Sequence, residues 1–450
     1  MISHSSASQE YLKDTATAAR HDETFYGVRH KRDVISRSLP EWEDLREAAS
    51  RIKEHTLENL SYYLTQFEEK ALENGAKVLW AKDAEEYNKI VYEILSGKGI
   101  DKVVKSKSML TEECHLNDFL EERGIQVVES DLGERILQMM KLAPSHVVMP
   151  ALHIHKEDIG DCFREKISGT ENNNDPTYLT HVARMHLREK FLEAGAGITG
   201  ANFGIAATGE VVVCTNEGNA DMSTAMPPLH IVSMGIEKVI PDQYSLAIFH
   251  RLLARSATGQ PTTAFTSHFR GPVPGKEMYI ILVDNGRSEF LKNPEHWKTL
   301  KCIRCGACMN TCPVYRRSSG YSYSYFIPGP IGINLSMLHN PKSNSGNVAA
   351  CSLCCSCDNV CPVKVDLSTQ IYKWRQQLDS FGTASKEKKL ISNVMKTIFN
   401  HPNLYTNLLR ISPLLNILPT NIGLNPWAYG HKMMHFPKKS FHQLWKEKKV

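Results

Sequence analysis

Apolar and polar positions change rhythm several times along the chain, and each change predicts a different kind of element. Met1 to about Pro40 is polar and rich in Ser, His, Arg and Lys, which reads as an arm with some helix. From Trp42 the apolar residues Trp42, Leu45, Ala49, Ile52, Leu57, Leu60 and Leu64 recur at helical spacing, predicting one or two helices that close at Asn74-Gly75. Short β-rich runs then alternate with helical ones. Strands are predicted over Lys77–Trp80, Lys102–Lys105, Gln126–Glu129 and His146–Pro150, with helices over Ala84–Leu95, Glu112–Glu122 and Glu134–Lys141 between them. A helix near Tyr178–Ala194, Gly-rich strands through Ile198–Cys214, a helix around Pro227–Met234 and a strand at Met278–Asp284 follow. Strand and helix alternating at this interval predict a parallel α/β sheet.

The same rhythm divides the chain into an N-terminal arm and helix over 1–56, an α/β domain over 57–290, a helical cysteine-bearing module over 291–380 and a basic helical tail over 381–450. At 450 residues such a division is expected on length alone. From Lys373 onward there are thirteen Lys or Arg against three Asp or Glu, and the apolar residues Leu404, Leu408, Leu409, Ile411, Leu414, Leu415 and Trp427 are interspersed with them. Pro413 and Pro419 break any long amphipathic helix there, which favours docking on a partner and leaves at most peripheral membrane contact. Leu404 to Leu424, the most apolar stretch, holds Arg410, Pro413, Asn416, Pro419 and Asn421 and is no spanning helix. The polar N-terminus lacks the apolar core of a secretory signal, so a cytoplasmic location is expected. A net charge of only +4 argues against a nucleic-acid partner.

Cysteine placement sharpens the picture. Nine of the twelve lie between Cys302 and Cys361, a crowding that favours metal over disulfides. Cys302-Ile-Arg-Cys305-Gly-Ala-Cys308-Met-Asn-Thr-Cys312-Pro313 is C-x2-C-x2-C-x3-C-P, and Cys351-Ser-Leu-Cys354-Cys355-Ser-Cys357-Asp-Asn-Val-Cys361-Pro362 repeats it. A cubane presents irons at the corners of a small tetrahedron, so one tight turn supplies three thiolates and the fourth comes from elsewhere. In two-cluster ferredoxins the fourth cysteine of each run ligates the other cluster. The expected ligands are therefore Cys302, Cys305, Cys308 and Cys361 for one [4Fe–4S] cluster, and Cys351, Cys354, Cys357 and Cys312 for a second. Structural zinc is the competing reading, but zinc motifs more often separate two Cys pairs. Cys355 is a ninth thiol, read as a bystander. Pro328-Gly329-Pro330, between the motifs, predicts a rigid turn into a helix at Leu335–Leu338.

Within the α/β domain, Thr199 to Glu210 and Thr215 to Asn219 are Gly- and Asn-rich, which lets a backbone approach a ligand. Asn202, Glu210, Asn216, Glu217 and Asn219 are candidate ligand-binding residues. Lys105 and Lys107, at the end of a predicted strand, are candidates for a phosphate or carboxylate. No Gly-x-Gly-x-x-Gly fingerprint opens an early helix, which argues against a dinucleotide bound in that way.

Together, Lys105-Ser-Lys-Ser-Met109, Ile198 to Phe203, Thr215 to Asn219, Pro227-Pro-Leu-His230, Met234-Gly-Ile-Glu-Lys238, Arg255 to Gln260 and Asp284-Asn-Gly-Arg287 resemble the lactate utilisation protein B family. The order of the parts and the ending Pro437 to Trp445 resemble it too. The resemblance implies an α/β domain similar to ribose-5-phosphate isomerase and CoA transferases, and a helical dicluster ferredoxin-type module. It implies an electron-relaying subunit of a system that oxidises L-lactate to pyruvate, beside a cysteine-rich protein and a second protein sharing the α/β domain. Lactate gives up two electrons while a cluster carries one, so a partner is expected to share or hold the dehydrogenation chemistry. A transferase or isomerase activity of the α/β domain, with Glu217 as nucleophile or base, is the alternative.

Overall fold

The computed structural model describes residues 4–323, 325–378, 380–382, 386–417 and 435–448. The chain forms two compact units, Met1–Phe381 and Gly382–Val450. Ten strands are found among the described residues: β1 Lys77–Ala81, β2 Lys102–Lys105, β3 Gln126–Glu129, β4 Ala196–Gly200, β5 Phe203–Ile205, β6 Glu210–Thr215, β7 Leu229–Gly235, β8 Val239–Ile240, β9 Phe265–Phe269 and β10 Glu277–Val283.

Six of them make a wholly parallel sheet in the order β1-β10-β7-β4-β2-β3. Its inner strands are nearly continuous apolar runs because both faces are covered. Ile231 and Ile281 join Tyr87, Val91 and Leu95 of helix Ala84–Ser96 on one face. Val232, Met234, Ile280 and Leu282 meet Leu60, Leu64 and Phe67 of helix Leu60–Glu73 on the other. A smaller sheet, β8-β5-β6-β9, extends from the Gly-rich region and is mostly antiparallel.

Most predicted elements are present, and the departures have local causes. His146–Pro150 is a loop, not a strand: the His146 ring nitrogen Nδ1 accepts the amides of Val148 and Met149 at 3.0 and 3.1 Å, which turns the backbone. Pro227–Met234 is not a helix. Its β-branched run Ile231-Val232 lies in β7, paired on both sides and buried throughout. The helix expected over Glu112–Glu122 is two, Met109–Glu113 and Leu116–Glu121, because His115 adopts the left-handed conformation between them. Helices Lys156–Lys166 and Gln243–Ala257 and strand β9 had no counterpart in the sequence reading.

The N-terminal arm is folded onto the cysteine module. Helix Thr15–Arg37, capped by Asp14, and helix Trp42–Glu58 place Phe25, Trp42 and Leu57 in one core with Met309, Tyr315, Ile331 and Trp374. Arg32 and Arg46 reach the second motif's carbonyls, Arg32 at Val360 (3.1 Å) and Arg46 at Cys361 (3.0 Å) and Asp358 (3.2 Å). The helix expected near Leu335 runs over Gly329–His339. Gly329 is required at its start, since it has a positive φ and a Cβ there would sit 2.6 Å from the Met309 side chain.

In the second unit, helices Lys386–Asn400 and Pro402–Ile411 carry exposed Leu390, Ile391, Val394, Met395, Phe399 and Leu404. Pro419 and Trp427 lie outside the described residues. Among those residues no helix is long and apolar enough to cross a membrane.

Candidate iron–sulfur and ligand sites

The two cysteine motifs fold alike. In the first, Arg304 and Gly306 take positive φ and curl the backbone, and helix Ala307–Thr311 follows. In the second, Leu353 and Cys355 take the same two positions and helix Ser356–Val360 follows. This curl aims amides at sulfur: the Arg304 N–H lies 3.4 Å from Cys302 Sγ and the Leu353 N–H 3.4 Å from Cys351 Sγ. After each motif a further amide approaches the fourth thiol, Tyr315 to Cys312 at 3.5 Å and Val365 to Cys361 at 3.4 Å. Amides placed so stabilise a thiolate and tune the potential of a cluster it holds.

The fold pairs the motifs crosswise. One pocket is lined by Cys302, Cys305 and Cys308 of the first run and by Cys361 of the second. Val147, Ile303, Ile331 and Val363 are among the other lining residues, so the thiols face a largely apolar site. Burial pushes the Cys305 thiol up, reinforced by Cys302 and Cys361. Cys312 belongs to the other set. Burial holds its thiol up at about 11, and its thiol neighbours are Cys351 and Cys354. Burial also raises Cys357, with Asp358, Cys312, Cys351 and Cys354 adding to it. Thiols gathered this way in apolar surroundings resist ionising alone but suit a polynuclear iron centre, whose positive charge compensates several thiolates at once. The donor set therefore fits the cubanes expected from the spacing. Cys305 and Cys308 are buried, whereas Cys354 is exposed, so the first set is interior and the second reaches the surface.

Cys355 is also exposed. It stands where the first motif has Gly306, and Ser368 Oγ lies 3.5 Å from its sulfur.

A second cavity of about 360 Å³ opens at the carboxyl ends of the parallel strands, where ligands of open α/β sheets bind. Of the candidates, Lys107, Asn202, Asn216, Glu217 and Asn219 line it. Lys107 donates to the Val148 carbonyl at 2.8 Å and lies 3.9 Å from Asp131. Glu217 accepts the Leu132 amide at 3.0 Å. Burial, then Asp131, push its carboxyl up to about 7. Asn202 accepts the Cys214 amide at 2.8 Å, which fixes the Gly-rich turn.

Lys105 and Glu210 are not among the lining residues. Lys105 is fully buried and held by Glu129 at 2.8 Å and Glu112 at 2.9 Å, a closed ion pair in place of an open anion site. Glu210 faces His268 at 3.1 Å across β6 and β9.

Sequence reasoning missed Asp131, Glu237, Lys238, Arg287, Arg304 and Cys305 as lining residues of this same cavity. Lys238 and Arg287 sit in family-like stretches, but only the fold brings them beside the first cysteine motif. Arg287 is locked by Glu237 at 2.5 Å and Glu113 at 2.9 Å. Burial lowers Lys238 to about 8 and Lys53, which donates to the Glu237 carbonyl, to about 7.

Three family models match consecutive stretches of the chain. A LUD domain model matches residues 64–289, a 4Fe-4S dicluster domain model matches 298–365, and a model of the C-terminal region of lactate utilisation protein B matches 379–450. "Lactate utilization protein B" of Bacillus cytotoxicus is 42% identical over 88% of this chain and 83% of its own length. "Uncharacterized electron transport protein YkgF" of Escherichia coli is 42% identical over 82% and 78%. A solved duf162 family protein from Deinococcus radiodurans aligns at 13% identity with a TM-score of 0.28, over 50% of this chain and 98% of that one. A LUD-type α/β domain joined to a dicluster module defines an iron–sulfur protein with an electron-transfer role. The chain belongs to the lactate utilisation protein B family.

Proposed function

We propose that the chain carries two [4Fe–4S] clusters and relays electrons within a multi-protein system that oxidises L-lactate to pyruvate. The observation that carries this reading is the lining of one pocket by three cysteines of the first motif and Cys361 of the second. In this reading Cys302, Cys305, Cys308 and Cys361 hold an interior cluster, and Cys351, Cys354, Cys357 and Cys312 hold one at the surface. Each cluster supplies a one-electron step when bound. The chain's own part is to exclude water from the first site, aim amides at the sulfurs and bring the sites side by side. The lactate system is supported by the names of the relatives, and the partners are then a cysteine-rich protein and a second LUD-domain protein.

Protein purified without oxygen is expected to be brown, to contain about eight irons and to be reduced by dithionite with a cubane-type paramagnetic signal. A colourless protein with stoichiometric zinc after reconstitution would refute the reading. The transferase alternative gains one observation, since Glu217 lines the α/β cavity. A carboxyl held up at about 7 is nevertheless better suited to passing a proton than to nucleophilic attack. Incubation with acyl-CoA donors is expected to leave Glu217 unmodified, and a thioester there would favour the transferase.

A further inference from the structure

The α/β cavity does not end within its own domain. Its lining runs from exposed Asn216 and Gln260 to buried Glu237 and Cys305, so a molecule inside it meets both the sheet ends and the first cysteine motif. That inner end is rich in cations. Lys53, Lys238, Arg287 and Arg304 gather there against two carboxylates, Glu113 and Glu237.

Both carboxylates serve Arg287, Glu113 through two parallel hydrogen bonds and Glu237 through Oε2, while Glu237 Oε1 is buried without a hydrogen-bond partner. Arg304 comes no nearer than 3.8 Å to Glu237, and its Nη1 is buried without a partner. Lys238, half-buried on the cavity wall, makes no hydrogen bond or ion pair among the described residues. Cations removed from water without partners are costly, and a fixed guanidinium beside an ammonium suits a planar carboxylate.

We propose that the inner end of this cavity is a carboxylate site, where Lys238 and Arg304 take the anionic group of a small organic acid against the Cys302–Cys308 loop. Asp131, Glu217 and Glu113 also line the cavity and disfavour a multiply charged phosphate. The identity of the acid rests on the function proposed above, and the site itself does not. The competing account is that these cations only offset the thiolate charge of the first motif.

The test uses the full chain, purified without oxygen and retaining its iron. L-Lactate, pyruvate and inorganic phosphate are titrated by calorimetry, and the paramagnetic spectrum of the reduced protein is followed in parallel. Lactate or pyruvate is expected to bind, and Lys238→Met to weaken it about tenfold or more at unchanged iron content, with Lys238→Arg retaining most of the affinity. Because Cys305 lines the cavity, the bound acid is expected to shift the signal of one cluster only. Absence of acid binding, unchanged binding in Lys238→Met, or Lys238-dependent binding of phosphate alone would each overturn the site. Loss of iron in both Lys238→Met and Lys238→Arg would assign the cations to the cluster and likewise overturn it. Dithionite-reducible clusters without acid binding would leave the electron-carrier reading standing.

Discussion

Lys105 illustrates what a sequence reveals of a single residue and what it hides. Its place at the end of β2 was legible, but the carboxylates that claim it come from a helix and from β3, and no pattern of spacing announces them. Burial raises the third carboxyl nearby, Glu134, to about 8, with Glu129 and Glu112 adding to it. Lys105→Met would strand these acids, and we expect a loss of about 3–5 kcal/mol in chemical denaturation, with Glu129→Gln restoring part of it. His230 carries a pH prediction. Burial in β7, where it faces Thr199 at 2.8 Å, lowers its pKa to about 3. The unfolded chain therefore binds the extra proton, and the stability this neutral ring supports is lost as pH falls from about 6.5 towards 3, by up to about 1.4 kcal/mol per unit. Urea titrations of wild type and His230→Gln at pH 7 and pH 4.5 are expected to show the acid loss reduced in the variant. An equal loss in both would assign the acid sensitivity elsewhere. Cys355, left as a bystander by its position, occupies a left-handed site that glycine fills in the other motif. Cys355→Gly is expected to keep all iron and to gain about 1 kcal/mol, and loss of about four irons would make Cys355 a ligand.

At the scale of elements, five of the six parallel strands were legible as short aliphatic runs, the inner ones because they are buried on both faces. Two errors share a cause. At His146 a side chain captures backbone amides, and at Pro227 a proline pair precedes a strand rather than a helix. Neither is visible in hydrophobic periodicity. The arm was the least legible segment, since its polar residues meet partners some three hundred positions away. Arg46 is the clearest case, buried and bonded to the carbonyls of Asp358 and Cys361. Arg46→Ala leaves buried carbonyls unsatisfied, so we expect a cost of about 3 kcal/mol and faster iron loss to a chelator, because Cys361 loses its support. Iron release at the wild-type rate would mean that the arm does not brace the motif.

Across the whole molecule, the sites form a sequence: a cavity touching the interior thiols, the interior set, then a set at the surface. That order was half legible, because the repeated spacing pointed to two neighbouring cysteine sets while nothing in it pointed to the cavity reaching Cys305. In the proposed function, electrons enter beside the cavity and leave through the exposed second site. The separate unit Gly382–Val450, basic with exposed apolar helix residues, is proposed to dock partner subunits. Deleting Phe399 to Val450 is expected to leave iron content unchanged and to abolish co-purification with the partners. Full assembly with loss only of liposome binding would point to a membrane surface.

The crossed arrangement of thiols is the claim on which the relay depends, and Cys312→Ser tests it most directly. Reduced, anaerobically prepared variant is compared with wild type by electron paramagnetic resonance and Mössbauer spectroscopy, with Cys305→Ser and Cys354→Ser marking the two sites. Crossed ligation predicts that Cys312→Ser perturbs the same signal as Cys354→Ser and leaves the signal altered by Cys305→Ser intact. A Cys312→Ser spectrum disturbed only where Cys305→Ser disturbs it would contradict the account.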